Sequence, residues 1–321
     1  MLARASGSII DLRWRATEKS FKFPLMDDIL LAEALRSRDP GALAAVYDAY
    51  AVQLYAFCWS RLLDQEAAQV ALRDAFIVAE AHIGRLRDAG SLAPWLYAIA
   101  RLECAHGSRP ADGRPDLVVA RHDQDDVDQR LVAWRALRSL STQARDALEL
   151  RLRHRLSLPG LAAVLELPHR RVKTVLEDAE EDLRLALSAE ILARLGPHGC
   201  PGRGAVLAER VGGVLDPSVR AKLLAHAGEC HICRAHAPTV TFSPAKILGL
   251  SPYARPSASL RVRVMNFFTD PELVGYRLFI ASRRAEFTAA GFPVQSRCMT
   301  VSAGFFGMPF RSRPMNRNMI T

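Results

Sequence analysis

Residues 158–185 read LPGLAAVLELPHRRVKTVLEDAEEDLRL, and the reading of this stretch decides the fold class. Its apolar residues, from Leu161 and Leu165 through Leu167 to Val172, Leu176, Ala179 and Leu183, recur at helical spacing in two runs interrupted at Glu166-Leu167-Pro168. Two such stripes predict a pair of helices joined by a tight turn, the second opening at proline, which suits a first helical turn. The outward residues of that opening are His169, Arg170, Arg171, Lys173 and Thr174. In a helix-turn-helix this is the end that enters the major groove. An arginine there can bridge two guanine acceptors for about 1–3 kcal/mol of discrimination, while lysine mainly holds phosphate. Farther along, Glu177, Asp178, Glu180, Glu181 and Asp182 repel phosphate, so any contact is end-on. The same pattern also suits an ordinary surface helix pair with a basic start.

Working outward, helical periodicity continues on both sides. Asp27 and Asp28 precede a first helix, so Met26 is an alternative start to Met1. Asp39-Pro40 supplies an N-cap and a first-turn proline for a second helix whose stripe runs from Leu43 through Tyr50 and Phe57 to Leu62. Asp64 can cap a third helix containing Val70, Phe76 and Ile83, and Ser91 opens a fourth with Trp95, Leu96 and Ile99. Residues 107–126 are rich in Gly, Pro and charge and read as a linker, after which four short helical pieces fill 127–190. Residues 196–239 hold three cysteines, and 240–321 lack steady periodicity apart from one helix near Pro271–Phe287, so they read as a largely irregular basic tail. With aromatics at only 7%, the expected class is all-α: two helical domains (26–106 and 127–190), a small helical cysteine module (196–239), and extensions at both ends, the first being residues 1–25.

The net charge of +9 is not spread over the body. Residues 1–25 carry five basic and two acidic groups and 240–321 carry eleven and three, which leaves 26–239 at −2. DNA binding therefore needs a local patch. Six cysteines without a secretory segment fit a reducing cytoplasm, and the longest uncharged run, Cys298–Phe310, is shorter than the ~18–20 residues a membrane helix needs.

His226-Ala227-Gly228-Glu229-Cys230-His231-Ile232-Cys233 has the pattern H-x3-C-x2-C, with Cys200 upstream. His226 lies one helical turn before Cys230, and Cys230 and Cys233 can chelate from one turn, so three donors converge and Cys200 supplies a fourth. Three thiolates and an imidazole in tetrahedral array favour Zn2+. His231 and His236 are alternative ligands, and an unmetallated thiol pair is the plainer reading. A zinc enzyme is not expected, because no H-E-x-x-H is present and four protein donors leave no position for water.

Residues 131–187 resemble the part of extracytoplasmic-function (ECF) sigma factors that reads the upstream promoter element, in Ala136-Leu137-Arg138-Ser139-Leu140, Arg145 to Arg151, Leu161-Ala162 and Val172 to Leu176. Residues 28–103 look like the family's polymerase-binding and promoter-melting region, in Asp39 to Leu43, Asp64 to Phe76 and Pro94 to Arg101. This resemblance implies core RNA polymerase and promoter DNA as partners. It places Glu66, Asp74 and Phe76 on the helix that docks on polymerase, and Trp95, Arg101 and Arg109 where the downstream element opens. On its own chemistry Trp95 reads as core. The family's Asn after that arginine is Leu102 here, its turn glycine is Glu166, and an arginine of the second helix is Asp178. These departures keep a polymerase-independent helix-turn-helix regulator as the alternative. The cysteine module is similar to zinc-binding anti-sigma domains, which implies an anti-sigma contact, within the chain or with a separate protein, released by thiol oxidation or zinc loss.

Overall fold

The computed structural model describes residues 25–106, 124–209, 215–236, 243–283 and 286–295. Among the described residues the chain is all-α, with fourteen α-helices, no strand, and an isolated bridge between Phe287 and Pro293. No described helix is long and apolar enough to cross a membrane.

The first lobe comprises α1 (Leu25–Arg36), α2 (Ala42–Leu62), α3 (Gln65–His82) and α4 (Leu92–His106). Asp64 caps α3 by accepting from the Ala67 N–H at 2.6 Å, the role its position predicts. The start of α2 differs from expectation. Gly41 takes φ 88° and the helix begins at Ala42, whose N–H donates to the backbone carbonyl of Asp39 at 3.0 Å rather than to its side chain. Trp95 is fully buried, as its chemistry predicts, and its indole N–H donates to the Gly291 carbonyl at 2.7 Å.

The second lobe comprises α5 (Gln124–Arg138), α6 (Thr142–Leu148), a π-helical turn at Glu149–Arg153, α7 (Leu158–Leu165) and the long α8 (His169–Leu195). Ser141 and Ser157 cap α6 and α7. The apolar core is continuous between lobes: Leu161, Val164, Leu165, Val172 and Leu176 pack in one cluster with Leu54, Phe57 and Ile99. Nearly every residue of α7 is apolar, so one side packs on α8 and another on α4.

Next, α9 (Pro201–Ala208), α10 (Pro217–Glu229) and α11 (His231–Arg234) pack on the end of α8 around Leu192, Leu215, Val219 and Leu223. Buried Arg203 donates to the carbonyls of Leu192 and Ala193, both at 2.8 Å, so it satisfies the last carbonyls of α8.

The described part of the tail is more regular than its composition suggests. It forms α12 (Pro244–Leu250), α13 (Ala258–Thr269), a 3-10 turn at Pro271–Leu273 and α14 (Val274–Ser282). Ile247 and Leu248 complete the second lobe's core, while Leu260, Val264 and Ile280 pack against the first. Val262, Leu278 and Phe279 point outward, which blurs the apolar stripe and explains why periodicity understates these helices.

Between the lobes, the His154 ring packs at a tilt against Tyr97 and shares a 2.9 Å hydrogen bond with its hydroxyl. Burial, then the charge of Arg153, holds its pKa down to about 3. The unfolded chain takes up a proton below the ordinary value near 6.5 while the folded chain does not until about 3. Stability present above pH ~6.5 is therefore lost progressively toward pH ~3, at about 1.4 kcal/mol per pH unit. We expect His154→Gln to lack about 2 kcal/mol of the loss that the unmodified chain shows between pH 6.5 and 5 in denaturant titrations. Parallel loss in both chains would refute the assignment.

Candidate metal centre and nucleic-acid interface

Asp216 caps α10 through the N–H groups of Ser218 and Val219, at 2.8 and 2.9 Å. The helix it starts carries His226 one turn before Cys230, where the chain turns into α11 and presents Cys233. Cys200 comes from the other side as the N-cap of α9. The four donor atoms of Cys200, His226, Cys230 and Cys233 lie within 4.8 Å of one another. His231 and His236 stay outside the cluster; the His236 Nδ1 meets the Ile232 carbonyl at 3.0 Å.

Three of the donor spacings match the edges of a metal tetrahedron. With metal–sulfur bonds of ~2.3 Å and metal–nitrogen bonds of ~2.0 Å, sulfurs stand ~3.8 Å apart and sulfur–nitrogen pairs ~3.5 Å. Here the Sγ atoms of Cys200 and Cys230 are 3.8 Å apart, and His226 Nε2 is 3.2 Å from Cys200 Sγ and 3.4 Å from Cys233 Sγ. The backbone N–H of Cys233 is the main cause that lowers the Cys230 thiol pKa, whereas burial and the neighbouring thiols push Cys233 up to about 12. Thiolates gathered this closely repel one another unless a cation sits among them. The cluster can hold a metal ion through four donors, one from each residue.

Gly202 sets the histidine ring. A Cβ added there would fall 2.6 Å from His226 Cε1 and 3.0 Å from Nδ1. Gly202→Ala is expected to displace the ring and weaken metal binding by about 10–100-fold in a chelator competition titration. Affinity unchanged within about twofold would mean that the ring is not held by this contact.

In the helix-turn-helix, Glu166 sits at φ 56°, ψ 38°, so it occupies the left-handed region that glycine ordinarily takes. Its conformation costs ~1 kcal/mol. Its carboxylate accepts from the Gln295 N–H at 2.9 Å and lies 3.9 Å from Arg101. His169, Arg170, Arg171, Lys173 and Thr174 are all exposed on the opening turns of α8, while Val172 and Leu176 are buried. Exposed Glu177, Asp178, Glu180 and Glu181 follow, and Glu177 stands 3.7 Å from Lys173.

The remaining sequence-derived sites are placed differently from one another. Glu66 is exposed on α3. Phe76 is in the core against Tyr47, with ring centroids 5.0 Å apart. Asp74 is buried beneath the tail, where Tyr276 donates to it at 3.1 Å and Arg283 pairs at 3.4 Å. Burial raises its carboxyl pKa despite the flanking arginines Arg73 and Arg283. Arg101 is engaged within the chain, at 3.1 Å from Asp146 and 3.2 Å from the Val164 carbonyl. Arg109 lies outside the described residues.

Asp146 carries a role that periodicity does not announce. It is 1% exposed and holds both Arg61 and Arg101, so it joins α6 to α2 and α4. The available signal is an acid set between Ala144 and Ala147 on the helix's buried side. Compared with known proteins, the chain matches no family model and no curated sequence.

Proposed function

We propose that this chain is a sigma-type subunit that directs bacterial RNA polymerase to promoters and carries a structural Zn2+ in its cysteine module. The observation that carries the reading is the exposed cationic opening of α8, set directly after the left-handed turn at Glu166. It is supported by the order of the chain, in which a helical lobe resembling a polymerase-binding region precedes this reader. Arg170 and Arg171 supply base and phosphate contacts, Lys173 a phosphate contact, and the acids that follow keep the helix from lying along the backbone.

Cys200, His226, Cys230 and Cys233 are the residues that would hold the zinc. When bound, the ion acts as a structural crosslink between α9, α10 and α11, because no coordination position is left for water. Arg203 and the small apolar cluster then fix this module to the end of α8.

Arg170→Ala with Arg171→Ala is expected to weaken promoter binding by the polymerase-bound chain about tenfold or more and to reduce its salt dependence. Undiminished binding would remove α8 as the reader. A second reading, a DNA-binding regulator that works without polymerase, is favoured by the burial of Asp74 and Phe76. On that reading the purified chain binds promoter DNA alone, and polymerase does not co-purify with it.

A further inference from the structure

Among the described tail residues, Arg261 and Arg283 find acidic partners within the chain. Arg261 forms a two-pronged contact with Asp48 at 2.6 and 2.8 Å, and Arg263 reaches Gln69 on α3 at 2.5 Å. Farther along, Arg283 meets Asp74 and also Glu103 at 3.0 Å. Arg73 of α3 lies over two tail rings that pack on each other, its guanidinium 4.6 Å from the centre of Phe267 and 4.5 Å from that of Tyr276.

The tail then crosses to the second lobe. Gly291 takes φ 88°, and a Cβ there would lie 2.0 Å from the Arg85 carbonyl, so only glycine allows this close approach. Its own carbonyl receives the Trp95 indole. Gln295 binds the Ala98 carbonyl through its amide at 3.2 Å and Glu166 of the helix-turn-helix through its backbone. One segment therefore covers α3 and also spans from α4 to the turn that precedes α8.

We propose that residues 258–283 and 286–295 form a clamp in cis, which occupies the α3 face and latches the two lobes together, and that core polymerase displaces it on binding. This inference rests on the polymerase-subunit reading and names the regulation of its docking face. The contact is suited to exchange. Much of it is ion pairing and stacking, and α13 and α14 leave Val262, Leu278 and Phe279 about three-fifths exposed on their outer side. Glu66 and Val70 remain uncovered at the edge of a 410 Å³ cleft beside Arg263 and Phe267, which gives an incoming partner a place to begin. The inference also locates the restraint after the cysteine module, whose principal packing is on α8 rather than on α3.

The test compares the full-length chain with two clamp variants, Tyr276→Ala/Arg283→Ala and Arg261→Glu/Arg263→Glu, for binding to bacterial core RNA polymerase. Hydrogen exchange on α3 is followed in the free proteins. The second variant alters only exposed rim contacts, so it keeps the test valid if the first variant folds poorly. Faster exchange on α3 and polymerase binding about tenfold tighter than the parent chain are expected. Equal affinity for all three chains, with α3 exchanging faster in the variants, overturns the clamp while leaving the sigma reading intact. Unchanged exchange on α3 also overturns the clamp. Failure of every chain to bind polymerase, with α3 shown to be uncovered, overturns both.

Discussion

Cys230→Ser with Cys233→Ser is expected to abolish metal binding and unfold the module formed by α9, α10 and α11. The apolar cluster there is small, consisting of Ala189, Leu192, Leu215, Val219, Leu223 and Ala227 around the cysteines, and it cannot support three short helices alone. Structural zinc in small peptides contributes roughly 10–16 kcal/mol of apparent binding free energy, so its loss removes a large share of what holds the module together. Elemental analysis should detect zinc in the parent chain and none in the variant. Amide protection should vanish across α9, α10 and α11 and fray the end of α8, where Arg203 loses its footing, while α2 and α4 keep theirs. Chelation should reproduce the pattern and zinc should reverse it for the parent chain only. Full protection of the module after chelation would show that it stands on its apolar contacts.

Asp146→Ala is the second large perturbation. The carboxylate is buried and receives both Arg61 and Arg101, whose side chains are only 14% and 16% exposed. Its removal leaves Arg61 without its carboxylate partner and Arg101 with only Glu166, 3.9 Å away, in a mostly buried interface, a loss of about 3–5 kcal/mol. Nearby Arg145 is already held down to about 10, first by burial and then by the charge of Arg138, so the site tolerates uncompensated positive charge poorly. For a body of this size the melting temperature should fall by about 10 °C. Asp146→Asn, which keeps the shape and loses the charge, should recover little of it. A loss below ~1 kcal/mol in both variants would place these arginines in water rather than in the interface.

The parts of this architecture visible in the chain are those built from near neighbours. Asp64 caps α3 because a carboxylate three residues before Ala67 reaches its N–H, and that geometry is local. His226, Cys230 and Cys233 converge because one helical turn separates the first two and one tight turn the last two. The exposed row from His169 to Thr174 follows from the burial of Val172 and Leu176. Contacts between distant segments left no such trace. Asp146 meets Arg61 and Arg101 from 85 and 45 residues away, and Tyr276 meets Asp74 across 202. The tail helices were obscured for another reason: their outward Leu278 and Phe279 break the alternation of faces that marks a packed helix. Glu166 shows a third limit, since its left-handed backbone is supported by Arg101 and Gln295, neither of which is nearby in the chain.

The most direct test of the central claim is transcription in vitro with bacterial core RNA polymerase on a pool of genomic fragments, with transcript starts mapped by sequencing. The parent chain and the Arg261→Glu/Arg263→Glu variant would each be added, with zinc supplied and with zinc removed. Discrete starts that share an upstream motif are expected, stronger with the clamp variant and lost when Arg170→Ala and Arg171→Ala are introduced. The absence of any discrete start from either chain under both zinc conditions would contradict the central claim.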